Sequence, residues 1–189
     1  MATVSTTDEE TARREQHAKA MAAKLAQMKV PDDWKILPAD PNYKNPLVRH
    51  FRHRGTVLTN YHLVNGCVEH WARFQARPTD IFVASFPKSG TTWLQEVVWR
   101  IVHGETGWTT RALIKTHLPY DLLPESVRAG AKVIYIDRDP RDKYRGTFPE
   151  LRDRFVRGEV MHAPYREHVQ GYMRHADTVL CVDVEQLHR

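Results

Sequence analysis

Residues Asp80 to Trp93 constrain this chain more than any other stretch, because they encode a buried strand, a tight turn and a helix start in succession. Ile81, Val83 and Phe86 stand among β-branched and aromatic residues, a composition suited to a strand covered on both faces. Pro87 lacks a backbone donor and ends the strand, and Gly90 supplies a turn conformation that other residues resist. Thr91-Thr92-Trp93-Leu94-Gln95-Glu96-Val97-Val98-Trp99 then carries apolar residues at helical spacing. The open N–H groups of such a helix start form an anion site, to which Lys88 adds a charge and Ser89, Thr91 and Thr92 add hydroxyls. The order differs from the G-x-x-x-x-G-K-[ST] of nucleoside triphosphatases, and no magnesium carboxylate is evident, which disfavours a small-molecule kinase using ATP.

Beyond this unit the pattern continues as strand (Ala112 to Thr116), loop, strand (Lys132 to Asp137), helices and strand (Thr178 to Asp183). Strands alternating with helices predict an α/β fold around a parallel sheet with covered faces. Open sheets of that kind bind ligands at the carboxyl ends of their strands. His117 falls just after one strand, and its ordinary pKa near ~6.5 suits a general base close to neutral pH. Lys115, two residues earlier, faces the same way. Arg138 closes the strand Val133-Ile-Tyr-Ile136, where a guanidinium can clamp a phosphate bidentately.

The chain has 189 residues, 41% hydrophobic and 27% charged, which fits one ordinary globular domain with a real core. Its apolar runs fall short of the ~18 residues that cross a bilayer, and Met1 to Lys29 reads as neither signal nor transit peptide. Two cysteines, Cys67 and Cys181, suit a reducing cytoplasm. The net charge of +5 suits an anionic ligand, without the basic block or aromatic signature of a nucleic-acid binder. The eleven histidines show no ligand spacing, so no metal is expected. Residues 1–46 read as a helical or frayed extension with a Pro-rich linker (Pro31, Pro38, Pro41, Pro46), and residues 47–189 as the folded domain. Thr7-Asp-Glu-Glu10 fits a capping box, and Met21, Leu25 and Met28 share a helix face. Residues 47–79 read as a short hairpin and a helix.

Three blocks carry a resemblance: Phe86-Pro-Lys-Ser-Gly-Thr-Thr-Trp-Leu-Gln-Glu96, Leu113-Ile-Lys-Thr-His-Leu-Pro119 and Lys132-Val-Ile-Tyr-Ile-Asp-Arg-Asp-Pro-Arg-Asp142. In this order they resemble the cytosolic sulfotransferases, which use PAPS (3′-phosphoadenosine 5′-phosphosulfate) as donor. The likeness runs from about Arg77 to the end of the chain and more weakly from Gly55 onwards. It implies a P-loop-like sulfotransferase fold, with a central parallel sheet flanked by helices. It implies that Lys88, Ser89, Gly90, Thr91 and Thr92 hold the phosphosulfate and that Trp93 stacks on adenine, with core packing as the competing reading for Trp93. By the same likeness Arg138 binds the 3′-phosphate, His117 is the base, and Lys88 and Lys115 are the catalytic lysines. The implied acceptor is a small phenol, steroid or amine, the by-product is adenosine 3′,5′-bisphosphate, and the resemblance leaves room for a homodimer. His53, Tyr61 and His62 are candidates for the acceptor pocket, with surface positions an equal alternative.

The chain also departs from the family pattern. The interval between Lys88 and His117 is roughly half the family's usual one, so Gly104 to Thr110 replaces a long acceptor-site loop. Asp142 runs directly into Lys143-Tyr-Arg-Gly-Thr-Phe148, without the serine that shares the 3′-phosphate. The last residues, Leu187-His-Arg189, fall before the family's C-terminal third, with its nucleotide-closing Arg-Lys-Gly segment and dimer motif. Asp139 stands where the family has asparagine, adding negative charge beside the anion. Either these segments are deleted from the protein or they belong to it beyond the residues given; only in the first case is the nucleotide expected to be held weakly. Sulfuryl transfer is the leading reading. Its rival is a catalytically impaired relative that binds or regulates.

Overall fold

The computed structural model describes residues 12–13, 16, 19–20, 23–24, 26–27, 29–38, 49–64, 67–104, 112–139 and 148–187. They fall into two compact units, residues 1–53 with 58–68 and residues 54–57 with 69–189. The capping box, Met21, Leu25, Met28, and the departures at 105–110 and 140–147 lie outside the described residues.

In the first unit the described residues between 12 and 27 are helical. Strands β1 (Lys35–Ile36) and β2 (His50–His53) pair antiparallel, and β3 (Thr56–Thr59) completes that sheet in the order β1-β2-β3. Strand β1 lies between Pro31 and Pro38, where the sequence suggested only a linker; its two residues pair with Arg52 and Phe51. Trp34 stacks on His53, whose Nδ1 lies 3.0 Å from the Asp33 carboxylate. Helix α1 (Asn60–Val64) follows, with His62 Nδ1 bonded to Thr59. His53 is therefore buried in this packing, while Tyr61 and His62 are half-buried.

The second unit carries helix α2 (Cys67–Ala72) and the predicted parallel sheet, in strand order β5-β4-β6-β7. These strands are β4 (Ile81–Ser85), β5 (Leu113–Thr116), β6 (Lys132–Asp137) and β7 (Val179–Asp183), each pair parallel. All five β4 residues are buried, as a strand covered on both faces requires. Helix α3 (Thr91–His103) turns Leu94 and Val98 onto Ile81, Val83 and Ile136, and leaves Trp93, Trp99 and Ile101 outside. The 3-10 turn Tyr120–Leu122 and helix α4 (Glu125–Gly130) lead to β6; α5 (Phe148–Val156) and α6 (Tyr165–Met173) lead to β7, and α7 (Val184–Leu187) follows it.

Because β5 and β6 flank β4 on opposite sides, the chain reverses direction across the sheet between β4 and β6. Such a switch point opens a crevice at the carboxyl ends of the strands. The Lys88 turn leaves β4 and Arg138 leaves β6 on either side of it.

The opposite edge is fastened by Asp80, which is buried. Its carboxylate accepts from Arg77 N and Nε at 3.0 Å and from Ala112 N at 3.3 Å, and its carbonyl accepts from Lys132 N. The hydrogen bond from the Arg77 side chain holds the Asp80 carboxyl below the ordinary carboxylate pKa, against the cost of burial. Asp80→Ala is expected to cost roughly 2–3 kcal/mol, because two backbone donors lose their acceptor. The stabilisation is complete above the unfolded pKa and disappears as pH falls through the lower folded value. Urea midpoints at neutral pH and in acid check both, the difference between the two proteins narrowing as the carboxyl is protonated.

Candidate active site

Lys88 lies in the turn after β4 with φ 71°, a left-handed conformation rare for a residue with a side chain. Its side chain is exposed, while Ser89 is fully buried and its hydroxyl donates to Phe86 O at 2.9 Å. Gly90, at φ 94°, then turns the backbone into α3, and Leu94 N closes the first helical bond on Gly90 O. Among the described residues no side chain caps this helix start. Its first N–H groups, with the Lys88 ammonium two residues before Gly90, are the kind of positive helix start that attracts an anion. Thr91 is buried, its hydroxyl bonded to that of Ser85; Thr92 is exposed, and Trp93 is 50% exposed.

His117 sits one residue past β5, across from the end of β4. Its Nδ1 lies 2.9 Å from Ser85 O, and a carbonyl only accepts, so Nδ1 carries the proton and Nε2 keeps a lone pair. Ser85 Oγ lies 3.3 Å from the same nitrogen, so one serine joins the histidine to the start of α3. Burial disfavours the imidazolium and lowers the His117 pKa below its ordinary 6.5. The bond to Ser85 works against this shift, and the charges of Lys115 and Lys88 reinforce it. The imidazole is neutral at pH 7. Lys115 is exposed on β5 and acts on His117 more strongly than Lys88 does. The buried His162 ring lies 5.8 Å from that of His117.

Arg138 lines a cleft of about 370 Å³ with Asp137, Asp139, Tyr165, Asp183 and Glu185. Its Nε is buried and has no hydrogen-bond acceptor among the described residues. The carboxylates of Asp137, Asp183 and Glu185 are already engaged. Tyr165 OH donates to both Asp137 oxygens at 3.0 Å, and Asp139 N donates to Glu185 Oε1 at 3.2 Å. A hydrogen bond with Glu185 raises the Asp183 pKa, and the same contact lowers that of Glu185. Asp183 is thus the easier of the two to protonate. A guanidinium with an orphaned donor fits a bound phosphate.

The predicted residues Lys88, Ser89, Gly90, Thr91, Thr92, Lys115, His117 and Arg138 gather at one edge of one sheet, and Trp93 sits at the start of α3. Sequence reasoning missed Ser85, His162, Tyr165 and the acids Asp183 and Glu185. Ser85 gave a weak signal as the polar last residue of a buried strand; the others gave none.

The profile of the sulfotransferase domain matches residues 78–112 and 108–189, two pieces that meet where the interval before His117 is short. Human sulfotransferase 4A1 is 32% identical over 186 residues, covering 75% of this chain and 65% of the relative. Luciferin sulfotransferase of Photinus pyralis is 30% identical, covering 60% of this chain and 48% of the relative. Among solved structures, mouse sulfotransferase SULT7A1 complexed with PAP is 27% identical, with a TM-score of 0.63 over 73% of this chain and 62% of that one. An Arabidopsis thaliana putative steroid sulphotransferase, 22% identical with a TM-score of 0.61 over 80% of this chain and 70% of that one, shares the fold. This chain spans less than two thirds of its human relative and about half of the Photinus one. The profile runs through the lysine turn, the histidine and the arginine alike, and by it and by these relatives the chain belongs to the sulfotransferase family.

Proposed function

We propose that this protein transfers a sulfuryl group from PAPS to a hydroxyl or amine of a small-molecule acceptor. The observation that carries this reading is His117, neutral and clamped through Nδ1 to Ser85 O, beside a turn that offers Lys88 and a bare helix start. The donor supplies a sulfur–oxygen bond to its 5′-phosphate, which breaks as the acceptor's oxygen or nitrogen bonds to sulfur. His117 Nε2 takes the acceptor's proton. Lys88 offsets the charge that collects on the departing phosphate oxygen, and Lys115 faces the sulfuryl oxygens. Ser89, Gly90, Thr91 and Thr92 cradle the phosphosulfate, Trp93 stacks on adenine, and Arg138 meets the 3′-phosphate. The products are a sulfate ester or sulfamate and adenosine 3′,5′-bisphosphate. The bisphosphate-bound mouse relative supports the nucleotide assignment.

The acceptor is a phenol, steroid or amine. The place of action is the cytoplasm, with a homodimer as the assembly and neither nucleic acid nor membrane as partner. No helix among the described residues is long and apolar enough to cross a membrane. A binding or regulatory role without turnover is the second reading, favoured by the acids around Arg138. Transfer of labelled sulfate from PAPS to a panel of phenols, steroids and amines separates the two, since only the enzyme labels the acceptor. Arg138→Ala is expected to weaken adenosine 3′,5′-bisphosphate by about 10–100-fold, as loss of a charge-assisted pair does. Binding of adenosine 5′-monophosphate should change little. Equal weakening of both nucleotides in calorimetry removes the 3′-phosphate from Arg138.

A further inference from the structure

His117 is fastened at two points, and the second involves none of the residues assigned above. Its carbonyl accepts a 3.0 Å hydrogen bond from Nε2 of His168, a buried residue of α6. Because that nitrogen faces an acceptor, it carries the proton, and Nδ1 of His168 is left to accept. It does so from the Tyr135 hydroxyl on β6, at 3.0 Å. Burial raises the Tyr135 pKa and keeps that hydroxyl a donor, while the backbone N–H of Phe86 bonds to its oxygen. One residue further along the loop, Leu118 O accepts from Tyr172 OH of α6 at 2.6 Å.

A closed circuit results. Ser85 O holds the His117 ring, and its neighbour Phe86 N–H leads through Tyr135 and His168 back to the His117 carbonyl. We infer that Tyr135 and His168 are positioning residues, which set the His117 ring against the Lys88 turn by tying the backbone of one to the backbone of the other. Phenylalanine and leucine would fill the same buried space without a polar group to satisfy. The polar chain instead ends on the two segments that carry the base and the lysine. Misplacement of a reacting group by about 1 Å costs on the order of 10²-fold in rate, so such a tie has kinetic consequences.

The inference rests on the sulfuryl-transfer reading only in its kinetic arm. The test uses the full chain with His168→Phe, His168→Gln and Tyr135→Phe. Glutamine keeps one acceptor and one donor about as far apart as the two ring nitrogens. Two-bond proton–nitrogen correlation spectra of histidine-labelled protein read the His117 tautomer without any substrate. Wild type should show the Nδ1–H form alone, and His168→Phe a mixture of both. His168→Phe should lower kcat by about 10–100-fold while the dissociation constant for adenosine 3′,5′-bisphosphate stays within about 3-fold. His168→Gln should recover most of the loss, and Tyr135→Phe should show a smaller one. If His168→Phe does not fold, Tyr135→Phe decides by the same two readouts. A folded variant with an unchanged tautomer and unchanged kcat overturns the inference, as does a kcat loss that glutamine fails to rescue. Should wild type transfer no sulfate at all, the sulfuryl-transfer reading fails, and the tautomer alone decides the positioning role.

Discussion

Replacing Lys88 with alanine is expected to lower kcat by about 10³-fold, the scale of losing one preorganised charge at a departing oxygen. The side chain is exposed, so little packing goes with it and the fold should survive. The backbone supplies an internal control. Lys88 holds φ 71° because Ser89 Oγ grips Phe86 O on one side and Gly90 enters α3 on the other. A non-glycine residue kept in that region stores about 1–3 kcal/mol, and alanine retains this strain whereas glycine relieves it. Lys88→Gly should therefore unfold at a higher urea concentration than Lys88→Ala, although both are equally impaired in transfer. Lys88→Arg should recover part of the rate, since charge is restored in a broader, planar group. Steady-state kinetics beside urea melts separate chemistry from folding. An alanine variant with parental kcat would show that the turn's amides carry the charge unaided.

The elements that position this site were legible because their signals are local. The β-branched runs at 81–85, 132–137 and 179–183 have the composition of strands buried in a parallel sheet, and Gly90 announces the turn by itself. Lys88 marks where local reading ends, since nothing in Pro-Lys-Ser distinguishes a left-handed lysine from an extended one. Strand β1 was hidden because two residues between prolines have no propensity of their own, and pairing with Arg52 and Phe51 makes the strand. The bonds from Ser85 to His117 and from His168 to Tyr135 link residues far apart in sequence, where no periodicity operates. Asp139 betrayed acidity near Arg138 because it is the next residue. Glu185 could not, because the sheet brings it there from beyond β7.

His117→Ala is expected to reduce kcat by about 10²–10⁴-fold, the range for a lost general base, with nucleotide affinity nearly unchanged. The shape of the parent's pH profile tests the role more sharply. Only the neutral ring accepts a proton, so kcat/KM rises with pH through the His117 pKa and is level above it. Burial, aided by Lys115 and Lys88, puts that pKa below 6.5, so the parent should run above half its plateau at pH 6.5, where an ordinary histidine would be half-active. Lys115→Met removes one of the depressing charges and should move the acid limb towards higher pH, even as the plateau falls. Stability follows the same sign. The unfolded chain binds the His117 proton more readily than the folded one, so folding loses free energy as pH drops from 6.5 towards the depressed value, and His117→Ala should lose less over that interval. A parental limb centred at or above 6.5, or one that Lys115→Met leaves in place, would assign the acid limb to a group other than this imidazole. The retained rate of His117→Ala would then have to come from positioning and charge alone.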